Sequence, residues 1–326
     1  MTILSGGVPG GLDRVPTVTE NLPLTATRPP TGLQYEISLG RARARVGSVA
    51  AVLREFSVDG QHYTEIWDDN LPAPYGCGIV LAPWPNRIKD AQWEHEGKTL
   101  KLDMTDRGNN AAIHGLLRNT SYELVEIDDV AVTLGATIYP QHGYPFTVDT
   151  FVTYRLTDQG LQVTHRLANV GGTPAPFGIG AHPYLRVGDH PIKDLRITLN
   201  ADTFIPIDDN KIPTGRSSVD RTDVDLRDGV RLDAVSLDTA YTDLHPEGDQ
   251  HLATLTAPDG TGLVLWADLV FGYIQVFTPR DYPGRELTVA IEPMTCPANA
   301  FNSGEALRWL APGESFEASW GLRPVG

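Results

Sequence analysis

Two short segments place groups able to move protons on strand-like backbone. In Pro176-Phe177-Gly178-Ile179-Gly180-Ala181-His182-Pro183-Tyr184-Leu185, the two-residue alternation of a strand puts Phe177, Ile179 and Ala181 on one face and Gly178, Gly180 and His182 on the other. The imidazole then stands on a face where two side chains are missing. A glycine pair inside a strand costs stability and marks a close approach by a ligand or another backbone, or else a tight bend around a structural histidine. In Leu287-Thr288-Val289-Ala290-Ile291-Glu292-Pro293, Leu287, Val289 and Ile291 form a core-facing row, and Thr288, Ala290 and Glu292 share the opposite face. A carboxylate at a strand end beside small neighbours has room for acid/base work, although the same pattern suits an ordinary half-exposed glutamate. Pro293 is expected to end that strand.

Two more segments add polar groups in turn-rich settings. Ala82-Pro83-Trp84-Pro85-Asn86-Arg87-Ile88 presents an arginine after a rigid Pro-x-Pro turn, and Ala112-Ile113-His114-Gly115 presents a histidine beside a glycine. Alone, these read equally as a surface charge and a structural histidine, and Trp84 reads as core. Other features have plainer uses. Arg41, Arg43 and Arg45 alternate with alanines as a solvated strand face. Asp68-Asp69 and Asp208-Asp209 precede asparagines without the ligand spacing of a calcium loop, so Asx turns are expected there. Phosphate-binding glycine loops, dinucleotide fingerprints and the Gly-x-Ser-x-Gly elbow do not occur.

The elements that must position these residues are strands. The 326 residues include 32 Gly and 25 Pro, together about one residue in six against about one in eight expected, which argues against a mainly helical chain. Short runs rich in Val, Ile, Thr and aromatic residues recur between turn formers, for example Phe146–Leu156, Leu161–Leu167, Gly262–Trp266, Tyr273–Phe277 and Ser315–Leu322. No dozen-residue window sustains a helical apolar stripe, so helices are expected only as short connectors. These signs predict an all-β fold, a large antiparallel β-sandwich. With no repeat and no linker, the expected organisation is a flexible extension over residues 1–32 and a single domain over 33–326.

Lys and Arg number 26 against 41 Asp and Glu, a net charge of −15, which opposes binding to nucleic acid or an anionic membrane. Cys77 and Cys296 are too few for a disulfide framework and lack zinc-site spacing. No signal peptide and no membrane-spanning run is evident. A cytoplasmic protein without a metal is the expectation.

Taken in order, Pro85-Asn86-Arg87-Ile88, Ile113-His114-Gly115, Gly180-Ala181-His182-Pro183-Tyr184-Leu185, Leu237-Asp238-Thr239-Ala240-Tyr241 and Ile291-Glu292-Pro293-Met294 resemble the aldose 1-epimerase, or galactose mutarotase, family. The resemblance runs from about Leu33 to Leu322. Trp84-Pro85 and Met294-Thr295-Cys296-Pro297 resemble its bacterial branch. It implies a galactose mutarotase-like supersandwich with a concave sugar-binding face and cofactor-free interconversion of α and β anomers of a free hexose. It further implies that Glu292 is the general base at the C1 hydroxyl and His182 the general acid at the ring oxygen, with Arg87, His114 and Asp238 binding the sugar. Asp243, in a similar Tyr-Thr-Asp-Leu setting, is the alternative to Asp238. Glu292 is expected to be ionised near neutrality, and its charge to raise the His182 pKa. An epimerase of a hexose carrying a C6 phosphate or sulfonate, and a non-catalytic sugar-binding protein, are the competing readings. The implied partner is a small-molecule sugar, with oligomeric state open.

Overall fold

Alternation of apolar and polar residues becomes alternation of burial. A computed structural model describes residues 28–326. Along Val148–Thr157, every second residue from Val148 to Leu156 is buried and those between are half-buried or exposed; Gln250–Thr256 repeats this through His251, Ala253 and Leu255. Strands of this kind assemble into a nine-stranded antiparallel sheet in the order Glu123–Ile127, Ala131–Ile138, Val148–Thr157, Gly160–Asn169, Ser315–Val325, Gly262–Asp268, Gln250–Thr256, Arg196–Leu199 and Val230–Arg231.

An eight-stranded antiparallel sheet runs Ser217–Ser218, Ala201–Ile205, Asp238–Leu244, Tyr273–Phe277 and Val289–Met294. On the far side of the last strand lie Gly180–Ala181 and Tyr184–Leu185, and Val80–Leu81 closes the edge. A four-stranded sheet spans Gln34–Leu39 to Gln61–His62. One hydrophobic cluster joins the sheets, with Val152, Val163 and Leu265 from the first and Ile274, Val289 and Ile291 from the second. We take residues 33–326 as one domain on the strength of that shared core. Among the described residues, the only α-helix is Ala300–Ser303, and no helix is long and apolar enough to cross a membrane.

The extension expected over residues 1–32 lies mostly outside the described residues. At its end, Thr31 is buried and accepts hydrogen bonds from the Arg54 guanidinium at 3.2 Å and the Gln34 amide at 3.1 Å. Arg41 pairs with Asp59 and Arg45 with Asp69 at the surface. Both acidic pairs form Asx turns, with Asn70 N–H donating to Asp68 at 2.8 Å and Asn210 N–H to Asp208 at 2.9 Å. Trp84 is a core residue packed edge-on against Phe301, and Cys77 and Cys296 are free and buried.

Two expectations near the site are corrected. The strand bearing Glu292 does not stop at Pro293 but runs to Met294, which pairs with Tyr273 on one side and Gly180 on the other; proline removes one donor, and the ladder resumes at the next residue. Gly178 and Gly180 do face away from the Phe177, Ile179 and Ala181 core row, yet protein fills the space they leave. A Cβ on Gly178 would overlap Cys296 Sγ and come within 3.1 Å of Pro85 Cδ, and one on Gly180 would lie 3.1 Å from Pro85 Cβ. The gap admits the Pro-x-Pro turn that leads to Arg87, so the close approach is by the chain itself.

Gly178→Ala is therefore expected to cost about 1–3 kcal/mol through overpacking, read as a lower denaturant midpoint. Adding Cys296→Ala should recover a large part of that loss, because the two side chains compete for one volume. Additive losses would show that the gap is not shared.

Candidate active site

Strand register brings the two candidate acid/base residues together. Gly180 pairs with Met294 and Tyr184 with Ala290, and the same antiparallel count sets His182 opposite Glu292. Opposed side chains share a face, and His182 Nε2 lies 3.4 Å from Glu292 Oε1. Both residues are buried, at 4% and 2% exposure, so Glu292 is not the half-exposed glutamate its pattern also allowed. On the next strand Gln275 pairs with Glu292, and beyond it Asp238 pairs with Phe277 and Ala240 with Gln275. One face of these neighbouring strands thus carries His182, Glu292, Gln275 and Asp238.

Arg87 and His114 arrive on a separate two-stranded ladder in which Arg87 pairs with Ile113. Asn86 and His114 both take left-handed backbone, φ 53° and 61°, and the His114 N–H donates to the Asn86 carbonyl at 2.8 Å. Gly115 follows at φ 74°, where any Cβ would overlap the Ala82 carbonyl; only glycine fits this approach. The turn sets the His114 ring edge-on to His182, with centroids 5.2 Å apart and planes at 81°. Behind His182, Tyr184 stacks at 5.3 Å and 12°.

All five residues picked from the sequence, Arg87, His114, His182, Asp238 and Glu292, line one cleft of about 410 Å³. Asp243 does not line it and instead faces Arg216 at 3.6 Å. Residues that the sequence reading missed join them. Gln275 donates to Asp238 Oδ1 at 2.8 Å and Asp106 accepts from Arg87 Nε at 2.8 Å, while Arg118 and Tyr75 complete the wall. Gln275 carries a signal, a lone amide in the apolar run Tyr-Ile-Gln-Val-Phe. Arg118 has none.

Burial governs the electrostatics. It pushes the His182 pKa down to about 4, with the charges of Arg87 and Arg118 adding to the effect against its own backbone. Glu292 is raised well above the usual carboxylate range by burial and then by Asp238, with Arg87 opposing. His114 falls well below its ordinary value through burial, then His182, Arg87 and Arg118. The expected upward push on His182 is thus corrected, because its charge is not solvated on this face and two guanidiniums disfavour a further cation, and the same burial makes Glu292 harder to ionise than expected. Burial works against charge on both members of the pair, favouring the unprotonated imidazole and the protonated carboxyl. Glu292 Oε2 and His114 Nδ1 are buried without hydrogen-bond partners, leaving polar atoms ready for a ligand's hydroxyls. Among the described residues, no group of three or more His, Cys, Asp or Glu could hold a metal ion.

The cleft of this antiparallel sandwich thus holds a buried imidazole–carboxyl pair ringed by hydrogen-bond donors and acceptors. Residues 36–323 match the family model for aldose 1-epimerase, and the chain belongs to that family, as its ordered motifs suggested. The uncharacterized protein YihR of Escherichia coli is 31% identical over 287 residues, 87% of this chain and 91% of the relative. Human galactose mutarotase is 30% identical over 168 residues, about half of each chain at 49% and 47%. A galactose mutarotase-like protein from Clostridium acetobutylicum superposes with a TM-score of 0.78 at 18% identity, covering 89% of this chain and 94% of the other. An aldose epimerase homologue from C. elegans gives 0.78 at 20% identity, covering 90% and 99%. These structures share the fold, an antiparallel β-sandwich of the galactose mutarotase type.

Imidazole-detected NMR titration tests the electrostatic picture. His182 and His114 should both be neutral at pH 6, with His182 gaining its proton only near pH 4. Either ring found protonated at pH 6 would contradict the dominance of burial.

Proposed function

We propose that this protein is an aldose 1-epimerase that interconverts the α and β anomers of a free hexose of the glucose or galactose type. The observation that carries this reading is the 3.4 Å approach of His182 to Glu292 on the face that Arg87, His114 and Asp238 surround. In this reading the pair holds one exchangeable proton; with it on His182, the Glu292 carboxylate takes the proton from the C1 hydroxyl while His182 delivers its own to the ring oxygen. The C1–O5 bond breaks as the C1 carbonyl forms. Rotation about C1–C2 and the reverse transfers close the ring on the other face, and the pair ends as it began, with no cofactor consumed. Burial sharpens both halves of the exchange: a carboxylate with a raised pKa is a stronger base, and an imidazolium with a lowered one a stronger acid. Neutral His114 donates toward the developing charge at the ring oxygen. Arg87 and Asp238 hold hydroxyls as donor and acceptor.

One observation favours a second substrate class. Arg118 lines the cleft without a hydrogen bond or ion pair to any carboxylate among the described residues, and its charge is felt at His182 and His114. A cation at the ring-oxygen end suits an anion on C6, because C6 leaves the ring from the carbon next to that oxygen. Phosphorylated or sulfonated hexoses are the substrates of that reading.

Polarimetry or NMR anomer exchange with fresh α-D-glucose, α-D-galactose and their 6-phosphorylated or 6-sulfonated counterparts tests both. Acceleration by wild type should fall by ~10²–10⁴-fold in His182→Ala and Glu292→Ala; unchanged rates would remove the assigned roles. Sugar binding with no rate on any hexose would favour a non-catalytic binding protein. Arg118→Met should lower kcat/KM about tenfold for the anionic sugar only if that class is the substrate.

The pH profile has a definite sign. Below about 4 a second proton enters the pair at His182 and blocks the base, and above the raised Glu292 pKa the pair's last proton leaves and removes the acid. We expect kcat/KM to fall at both ends with a broad top between. A rate rising steadily through the basic range would contradict this.

A further inference from the structure

The Asx turn at Asp208-Asp209-Asn210, which the sequence marks only as a turn, ends in a lysine with unusual backbone. Lys211 sits at φ 63°, a left-handed conformation in which a non-glycine residue is strained and persists only when its surroundings hold it there. Here the surroundings are specific. Lys211 N–H donates to the Asp208 carbonyl at 2.9 Å, Asp208 N–H to the Ile212 carbonyl at 2.9 Å, and Ile212 N–H to Asp208 Oδ1 at 3.0 Å. Ile207 and Pro213 bridge across the base of the loop.

This loop sends the Lys211 ammonium onto Asp238, with Nζ 3.2 Å from Oδ2. The other carboxylate oxygen already accepts from Gln275. A small hollow beside the cleft is lined by Lys211 together with Asn86, Arg87, Asp238 and Gln275, and the last four also line the cleft itself. The Lys211 side chain is 39% exposed, so the pair adds little to stability. Its ammonium has three donors, of which one is engaged by a side chain among the described residues.

We infer that Lys211 is a specificity-determining residue of the sugar cleft, donating to one hydroxyl of a vicinal pair whose neighbour donates to Asp238. A cation and a carboxylate side by side offer a diol both polarities, and a sugar lacking either hydroxyl leaves one of them without its ligand partner. This assignment rests on the reading of Asp238 as a sugar-binding residue. The loop then has a reason to hold a lysine where glycine would be at ease.

The test compares wild type with Lys211→Met and Lys211→Arg by sugar titration and by anomer-exchange kinetics, using the preferred hexose and its 2-, 3-, 4- and 6-deoxy analogues. Lys211→Met should raise Kd and KM for the parent sugar about tenfold, the scale of one charge-assisted hydrogen bond, with kcat within twofold. For one deoxy analogue the wild type and Lys211→Met should bind alike, and Lys211→Arg should recover part of the parent affinity. Lys211→Gly should match Lys211→Met in affinity while keeping the denaturation midpoint of wild type, which a merely structural lysine would not do. Unchanged affinity in Lys211→Met, or an equal penalty for the parent and all four analogues, overturns the assignment. Wild type that binds sugar without accelerating exchange removes the epimerase reading and leaves this one to be decided on Kd; wild type that binds no sugar removes both.

Discussion

An imidazole and a carboxyl group buried opposite each other set the terms for the whole cleft. Burial makes a lone imidazolium or a lone carboxylate costly on that face, lowering the His182 pKa and raising that of Glu292. Their 3.4 Å separation depends on strand register. A slip of one residue between Gly180–Leu185 and Val289–Met294 would turn one partner to the opposite face. The register is held by the core row on the other side of the same strands, where Ile179, Val289 and Ile291 join the cluster shared by both large sheets. The packing of the sandwich and the pairing of the two proton carriers are in this sense one constraint.

The second constraint is the way a separate ladder is fastened to that sheet. Pro85 occupies the volume left by Gly178 and Gly180, and the chain turns immediately into Asn86 and Arg87. The glycines serve the site at one remove, by letting a rigid turn lie flat on the strand that bears His182. Gly115 does the same on the partner strand at that end of the ladder, where the Ala82 carbonyl leaves no room for a Cβ. Arg87 and His114 are thus placed by backbone fit.

Much of this was legible in the sequence, and the limits follow from what local patterns contain. Period-two alternation located most of the long strands and predicted correctly that Leu287, Val289 and Ile291 face the core. Ordered motifs pointed to five residues that share the cleft. The direction of the His182 shift was misjudged because burial is a property of the assembled sheets, which the identities of two neighbouring groups do not reveal. Pro293 was misjudged because a missing donor matters only at a position where the ladder needs one. Arg118 and Lys211 were invisible for a different reason: each gains meaning from side chains that other elements bring beside it.

The strand order has a consequence for how the molecule is made. Val289–Met294 lies between Tyr273–Phe277 and Gly180–Tyr184, and Ser315–Val325 lies between Gly160–Asn169 and Gly262–Asp268. Each large sheet therefore receives an interior strand from the last forty residues of the chain. During synthesis from the N-terminus, neither sheet is complete until these strands have left the ribosome, and the distant pairings make closure slow. Glu292 enters the cleft with one of these late strands. A nascent chain would expose open sheet edges until then, and the cleft would gain its carboxyl in the same step that fills the gap in its sheet.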